Sequence, residues 1–317
     1  MNPSLTADFF KTPRVFLAPM EGVVDAITRD ILTSIGGIDV TVTEFIRVID
    51  QELPDHVFFR DAPELEIGSQ TPSGTPLLVQ LLGSDPEMLG RNAARAVRLG
   101  ARGIDLNFGC PAKTVNRHDG GATLLKNPER VYAAIKGVRS AVPDTHSVSA
   151  KVRLGFSDTS LHREIALATL EAGASWLTIH ARTRDDGYKP PAHWELIASM
   201  NDAIGRKIPV IANGECWTPD DTRRMREISS TEHIMLGRGL LARPSLALES
   251  RGQGELLAWE RLFPLIQKFV ADSNRSKSAR FAAARLKQWL KSLLKTYPEA
   301  GELFSKIKTL ETIEALT

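Results

Sequence analysis

The sequence predicts an α/β protein in which a β/α barrel is followed by an all-helical domain. Short runs of β-branched and apolar residues alternate with helix-like segments through residues 1–240. This alternation is typical of βα units arranged around a parallel sheet. Eight strand-like runs can be counted, and this number favours a TIM (β/α)8 barrel over an open doubly wound sheet. After Arg243 only helical patterns follow.

The predicted strands are short and apolar. They cover residues 15–18, 40–44, 77–82, 103–107, 148–154, 176–180, 208–213 and 233–237. Helices are predicted after the third, fourth and fifth strands, over residues 86–99, 128–141 and 161–172, because their apolar residues recur at helical spacing. Helical patterns over 259–271, 279–296 and 301–316 complete the chain. We therefore expect a barrel domain over residues 1–245 and a helical domain over residues 246–317.

The helix predicted over 279–296 has two distinct faces. An apolar stripe predicts a buried face, and it consists of Leu286, Trp289, Leu290, Leu293 and Leu294. A row of lysines beside it consists of Lys287, Lys291 and Lys295. Residues 261–317 carry 11 basic and 5 acidic side chains, whereas residues 1–260 carry 29 basic and 33 acidic ones. This asymmetry indicates either a solvated basic surface or a polyanionic partner.

The composition excludes several classes of protein. The chain has 317 residues, of which 42% are hydrophobic and 25% charged, as in soluble globular proteins. It contains no apolar run of the roughly 18 residues that a spanning helix needs, so we expect a cytoplasmic protein with no membrane partner. Two cysteines do not make a disulfide framework, and no Cys/His cluster has zinc-like spacing, so no metal is expected.

Glycine-containing turns follow the last two predicted strands. They are Asn213-Gly214-Glu215 and Gly237-Arg238-Gly239. A TIM barrel commonly binds phosphate with the loops after strands seven and eight, because glycines let backbone N–H groups approach an anion closely. Each tripeptide alone is more often a tight turn, but the pair at these two strand ends predicts a phosphate site, with Arg238 supplying the charge.

Three further polar residues, Gln80, Lys151 and His180, lie in different predicted strands. We expect them to converge at the barrel mouth, as a large planar polar ligand would require. Lys151 is the most informative, because a lysine in an apolar strand is costly to bury without a polar partner. A histidine such as His180, taken alone, is more often a hydrogen-bonded core residue.

The two cysteines differ in their sequence context. Cys110 lies in a Gly-Cys-Pro turn just after a predicted strand, which is a place where a thiol faces a cleft. Cys216 follows Glu215 without a paired acid or base nearby, and we interpret it as structural.

Taken together, the motifs resemble those of the flavin-dependent tRNA-dihydrouridine synthases. The matching segments are Pro19-Met20-Glu21-Gly22, Asn107-x-Gly109-Cys110-Pro111, Lys151-Val-Arg153, His180-Ala-Arg182-Thr183 and the two glycine turns. The segments 43–45, 71–75, 80–83 and 284–290 resemble the bacterial DusC subgroup, which acts on position 16 of tRNA. The resemblance covers nearly the whole chain.

The resemblance implies an FMN-bound barrel, a helical domain that binds tRNA, NADPH as the reductant and a monomeric protein. It assigns FMN binding to Pro19, Met20, Glu21, Gln80, Lys151, His180, Asn213, Gly214, Glu215, Gly237 and Arg238. It makes Cys110 the catalytic acid, places Asn107 and Arg153 at the target uracil, and assigns RNA contacts to Arg47, Arg285, Lys287 and Lys308. Hydride would add to C6 of uracil and the Cys110 proton to C5.

Two departures from the family pattern lie near Cys110. Phe108 is bulky for the variable position of its turn, and Arg117-His118-Asp119 replaces a stretch richer in glycine. Neither change removes a catalytic group. Two other functions remain open: an FMN barrel that oxidises or reduces a small molecule, as dihydroorotate-type dehydrogenases do, and a tRNA-binding protein without turnover.

Overall fold

The computed structural model describes residues 5, 7–112, 115 and 119–316, so Arg117 and His118 lie outside the described residues. Nine strands are seen in this part of the chain. They are β1 (Val15–Leu17), β2 (Val40–Val42), β3 (Ile46–Arg47), β4 (Leu77–Leu82), β5 (Gly103–Asn107), β6 (Ser147–Arg153), β7 (Leu177–His180), β8 (Val210–Asn213) and β9 (His233–Leu236). All their pairings are parallel.

Eight of these strands close into a barrel. β1 pairs with both β2 and β9, and β2 pairs with β4, so the sheet returns to its start. The predicted TIM barrel is therefore confirmed, with each predicted strand within two residues of its observed bounds. The short strand β3 was not predicted. It pairs with the carboxyl end of β4, beyond the point where β2 ends.

Helices alternate with the strands and continue after the barrel. They are α1 (Ala26–Ile35), α2 (Asp55–Asp61), α3 (Pro86–Arg98), α4 (Pro128–Ala141), α5 (His162–Glu171), α6 (Trp194–Ala203), α7 (Pro219–Ser229), α8 (Arg238–Ala242), α9 (Leu246–Glu249), α10 (Trp259–Ser276), α11 (Ala279–Leu293) and α12 (Pro298–Ile307). Short 3-10 helices cover Ala7–Lys11, Pro63–Ile67 and Gly121–Lys126.

Several helices begin at signals that are visible in the sequence. The Asp85 side chain accepts a hydrogen bond from the Met88 amide, and Pro86 occupies the first turn of α3. Asn127 caps α4 in the same way before Pro128. Ser278 caps α11 by accepting a bond from the amide of Phe281. Such caps satisfy amide groups that have no partner within the helix.

The amino-terminal segment closes the barrel at the end where the strands begin. Phe9 and Phe10, from the first 3-10 helix, pack against an inner cluster that includes Phe16 and Trp176. The ring centroids of Phe10 and Trp176 lie 5.3 Å apart. Aromatic side chains therefore fill this end of the barrel, and the functional site of a TIM barrel lies at the other end, where the carboxyl ends of the strands meet.

The helices α10, α11 and α12, which we call the C-terminal helices, pack against one another and against the barrel. Leu286, Trp289, Leu290 and Leu293 are buried, as predicted from their spacing. Leu294 follows the last residue of α11 and is 43% exposed, so the buried stripe ends at Leu293, one residue earlier than predicted. The predicted boundary between residues 245 and 246 stays a prediction. No described helix is long and apolar enough to cross a membrane.

Candidate functional site

A cleft with about 910 Å³ of empty space opens at the carboxyl ends of the strands. Every residue predicted to hold the cofactor lines it, and so do Cys110, Asn107 and Arg153. The strand register explains this convergence, since it places Asn107 beside Lys151, Arg153 beside His180, and His180 beside Asn213.

A chain of buried hydrogen bonds crosses the floor of the cleft. Gln80 Nε2 donates to Asp105 Oδ2 at 2.7 Å, and Ser149 Oγ donates to the other carboxylate oxygen at 2.6 Å. Asn107 Nδ2 donates to Gln80 Oε1 at 2.8 Å. Asp105 is buried, and burial raises the pKa of its carboxyl group. These hydrogen bonds fix the orientation of the side-chain amide groups of Gln80 and Asn107.

The same series of hydrogen bonds ends at the turn that contains Cys110. Asn107 Oδ1 accepts hydrogen bonds from the amides of Gly109 and Cys110, at 2.9 and 3.0 Å. Arg153 Nε donates to the Gly109 carbonyl at 2.7 Å, and Arg153 is only 1% exposed. Asn107 and Arg153 therefore hold the turn from two sides. Burial raises the pKa of the half-buried Cys110 thiol, which favours its protonated form.

Lys151 supplies a cation at the centre of the cleft. Its Nζ lies 3.3 Å from Asn213 Oδ1, and Asn213 in turn donates to the Met235 carbonyl. Burial, followed by the charge of Arg153, lowers the pKa of Lys151 to about 8. The same two causes hold the pKa of His180 well below its usual range. At neutral pH the site thus combines a charged lysine with a neutral histidine.

The two glycine turns form the far wall of the cleft. Gly214 has φ +127°, and a Cβ there would lie 3.1 Å from His180 Cδ2, so a side chain would be strained and crowded. The Glu215 carboxylate pairs with Arg182 and lies 3.6 Å from Arg238 Nη2. Arg238 therefore stands at the predicted phosphate turn, and its charge is partly balanced by Glu215.

Comparison with known proteins agrees with this arrangement. The family model for dihydrouridine synthase (Dus) matches residues 16–295. A tRNA-dihydrouridine(16) synthase of Pseudomonas putida is 51% identical over 300 residues, which are 93% of this chain and 92% of that protein. The chain belongs to the dihydrouridine synthase family. Its motifs in the sequence predicted this membership.

Further Dus relatives match over similar lengths. A protein named tRNA-dihydrouridine(16) synthase from Aquipseudomonas alcaligenes is 51% identical over 308 residues, 96% of this chain and 97% of its own length. One of the same name from Escherichia coli O157:H7 is 46% identical over 298 residues, 94% of each chain.

Solved structures with little sequence identity to this Dus chain share its fold. The structure of DHODH from Eimeria tenella in complex with ferulenol has a TM-score of 0.56 at 14% identity, covering 81% of this chain and 82% of that one. Histamine dehydrogenase from Rhizobium sp. 4-9 has the same TM-score and identity, covering 88% and 49%. At this identity the likeness concerns the fold alone.

The four residues predicted to contact RNA in this Dus chain lie outside the lining of the cleft. Arg47 is half-buried at the end of β3, and Lys308 is exposed just after α12. Lys287 Nζ donates to the Leu310 carbonyl at 2.5 Å. Arg285 differs from the others, because it is 8% exposed and its guanidinium contacts the barrel. RNA contact stays a prediction for each of the four residues. Arg285 lacks the exposed position that an RNA contact requires.

Sequence reasoning gave no role to three aromatic residues that line the Dus cleft, Phe45, Tyr188 and Trp217. Tyr188 is 55% exposed, and its ring centroid lies 5.4 Å from Arg153 Cζ and 4.9 Å from Arg238 Cζ. Trp217 Nε1 donates to Glu215 Oε1 at 2.8 Å. Phe45 and Trp217 lie three and four residues after the ends of β2 and β8, so an aromatic residue at this distance was an available signal. Tyr188 lies eight residues after the end of β7 and had no such signal. In the described residues, no His, Cys, Asp or Glu side chains are grouped as metal ligands.

Proposed function

We propose that this protein is an FMN-dependent tRNA-dihydrouridine synthase that uses NADPH to reduce the C5=C6 bond of uridine 16 in the D-loop. Membership of the dihydrouridine synthase family carries this proposal, together with relatives whose names specify position 16. The likeness to DHODH supports no small-molecule activity, because it concerns the fold alone.

The side chains in the cleft fit a flavin nucleotide. The Lys151 ammonium has three N–H donors, one of which contacts Asn213 Oδ1 at 3.3 Å, so a polar ring can accept from the others. Gly214 and Gly237 line the cleft, and Arg238 follows Gly237 in the second glycine turn. Lys151, Gln80 and His180 would hold the ring system, with Pro19, Met20 and Glu21 along one wall. Residues 213–215 and 237–238 would hold the phosphate.

In the proposed reaction the cofactor provides the hydride and a side chain of the protein provides the proton. Bound FMN, once reduced by NADPH, supplies the hydride that adds to C6 of uracil. Negative charge then develops toward C5 and O4, and the new C5–H bond needs a proton from an acid. Cys110 has the protonation state for this task, because burial raises the pKa of its thiol. The Sγ proton goes to C5, and the thiolate is left in the cleft.

Asn107 and Arg153 have a double task in this scheme. Their contacts with residues 109 and 110 fix the position of Cys110. Both side chains also line the cleft, where their remaining N–H groups would donate to the uracil carbonyls. Fixed donors of this kind stabilise a developing oxyanion without reorganising during the reaction.

The target base must leave the tRNA fold to reach the cleft, so the enzyme needs backbone contacts away from the chemistry. We assign these contacts to the basic helical domain, residues 246–317, and the chemistry to the barrel domain, residues 1–245. We further propose that the protein acts as a monomer in the cytoplasm.

The experiment that tests the proposal is dihydrouridine mapping in tRNA. Cells lacking the gene provide the substrate tRNA, and the purified protein is added back with FMN and NADPH. Loss and restoration of dihydrouridine at position 16 alone is the expected result. Restoration at another position would retain the reaction and overturn the target. No restoration at any position would overturn the proposed function.

A further inference from the structure

Helix α11 is hydrogen-bonded to the loop that joins β1 to α1. Arg285 Nη1 donates to the Gly22 carbonyl at 2.8 Å, and Nη2 donates to the Val23 carbonyl at 2.6 Å. Nη2 also donates to Thr28 Oγ1 at 2.9 Å. Asp25 Oδ2 lies 3.2 Å from the same nitrogen, and this aspartate caps α1. One guanidinium therefore links α11 to the loop and to the first turn of α1.

A second side chain of α11 reaches the same loop. Gln288 Nε2 donates to the Gly22 carbonyl at 3.1 Å, and Gln288 Oε1 accepts a bond from Arg285 Nη1. The carbonyl of Gly22 thus receives donors from two residues one helical turn apart. Gly22 itself has φ +68°, a left-handed conformation that marks the sharp bend of the loop.

The other side of this loop is a wall of the cleft. Pro19, Met20 and Glu21 line the cavity directly before the residues that α11 holds. Within the loop, the Met20 carbonyl accepts bonds from the amides of Val23 and Val24, at 3.0 and 2.9 Å. Displacement of the Gly22 carbonyl would therefore also displace Met20 and Glu21, the two cleft-lining residues that precede it.

An arginine suits this joint better than other residues do. Its planar fork donates in fixed directions to two successive backbone carbonyls, which a lysine ammonium cannot reproduce with the same geometry. The side chain is 8% exposed, and a buried cation is costly unless hydrogen bonds compensate it. Here the Gly22 and Val23 carbonyls and the Asp25 carboxylate provide that compensation, and all three lie in the loop or at its end, so the interaction depends on the shape of the loop.

We propose that Arg285 is a positioning residue for the cofactor, with Gln288 as its partner: from the C-terminal helices they hold the Pro19–Gly22 loop in the shape that binds FMN. The inference rests on the proposed function, in which this loop holds FMN. It gives the C-terminal helices a second task besides RNA binding, because the cleft wall is complete only while α11 is docked.

The test is a fluorescence titration of FMN into the full-length chain freed of flavin. Arg285→Ala should weaken FMN binding at least tenfold, since hydrogen bonds to charged groups contribute roughly 1.5–3 kcal/mol each and tenfold in affinity is about 1.4 kcal/mol. Arg285→Lys should restore part of the affinity, and Gln288→Ala should cause a smaller loss of about two- to fivefold. Arg280→Ala is the matched control, because Arg280 is exposed on the same helix.

Folding and RNA binding are measured on the same samples. Circular dichroism melting of the flavin-free proteins reports folding, and Gln288→Ala carries the test if Arg285→Ala does not fold, because Gln288 is exposed. Folded variants with wild-type FMN affinity and weaker tRNA binding would overturn the inference and make Arg285 an RNA contact. A wild-type chain that bound no FMN would overturn the proposed function, and the inference with it.

Discussion

The chemistry assigned to Cys110 depends on how its thiol is held. Asn107 Oδ1 accepts from the amides of residues 109 and 110, and Arg153 holds the Gly109 carbonyl. Burial raises the pKa of the thiol, so protonation is favoured further than in a solvated cysteine, whose pKa is about 8.5. A nucleophilic cysteine would need the opposite shift. The environment therefore matches an acid.

Replacement of Cys110 by alanine should separate flavin chemistry from product formation. We expect Cys110→Ala to bind FMN and to be reduced by NADPH at the wild-type rate, because Cys110 carries none of the cleft's positive charge. Dihydrouridine formation should fall by about 10²–10⁴-fold, the usual contribution of a general acid. Stopped-flow absorbance follows flavin reduction, and nucleoside analysis of tRNA follows the product. Wild-type product formation would remove Cys110 as the acid.

At the scale of strands and helices, the sequence predicted much of the site. The alternation of side chains along β6 places Ser149, Lys151 and Arg153 on one face, and all three take part in the site. Strand ends were identified because apolar runs stop abruptly at polar or glycine residues. Once eight such ends are assigned to one barrel, convergence of their residues follows from the topology.

Contacts that depend on how distant elements pack could not be predicted in this way. The bond between Asp105 and Gln80 requires the register of β4 on β5, which single-strand patterns do not specify. Tyr188 lies in a loop whose path is set by Arg153, which donates to the carbonyls of Thr183 and Gly187. Arg285 resembles an exposed basic residue in the sequence, and only the docking of α11 buries it.

The burial of the Lys151 side chain on β6 predicts that FMN binding depends on pH. Its pKa is lowered to about 8, so the ammonium is charged below that pH and neutral above it. A ligand that accepts hydrogen bonds from the ammonium favours the charged form. FMN affinity should therefore fall as pH rises from 7.5 to 9.5, by up to about tenfold per pH unit. Fluorescence titration across this range measures the slope.

The slope can be assigned to Lys151 with two variants. Lys151→Met should bind FMN more weakly at pH 7.5 and show little change up to pH 9.5, because it has no proton to lose. Lys291→Met should follow the wild-type curve, since Lys291 is an exposed lysine on α11. A pH slope that persists in Lys151→Met would assign the titration to another group.

At the scale of the whole molecule, hydrogen bonds and an ion pair fix the C-terminal helices to the barrel. Lys268 of α10 bonds to Asp30 of α1 at 2.6 Å, and Trp289 Nε1 of α11 donates to the Leu241 carbonyl at 3.2 Å. The excess of basic residues after position 260 thus lies on helices that are fixed to the barrel. RNA bound there would have a defined orientation relative to the cleft, as the proposed modification of a single uridine would require.

Charge reversal on this surface should weaken tRNA binding and leave FMN binding unchanged. We expect Lys287→Glu and Lys308→Glu together to reduce tRNA affinity by tenfold or more at low salt. The slope of log affinity against log salt should fall by about one for each lysine–phosphate interaction that the substitutions remove. Lys207→Glu is the matched control, because Lys207 is an exposed lysine just before β8, at the end of the barrel opposite the cleft. Filter binding at several salt concentrations gives the slope, and FMN fluorescence checks the cleft. Equal slopes in the double variant and the wild type would show that these two lysines bind no phosphate and that the RNA lies on another face.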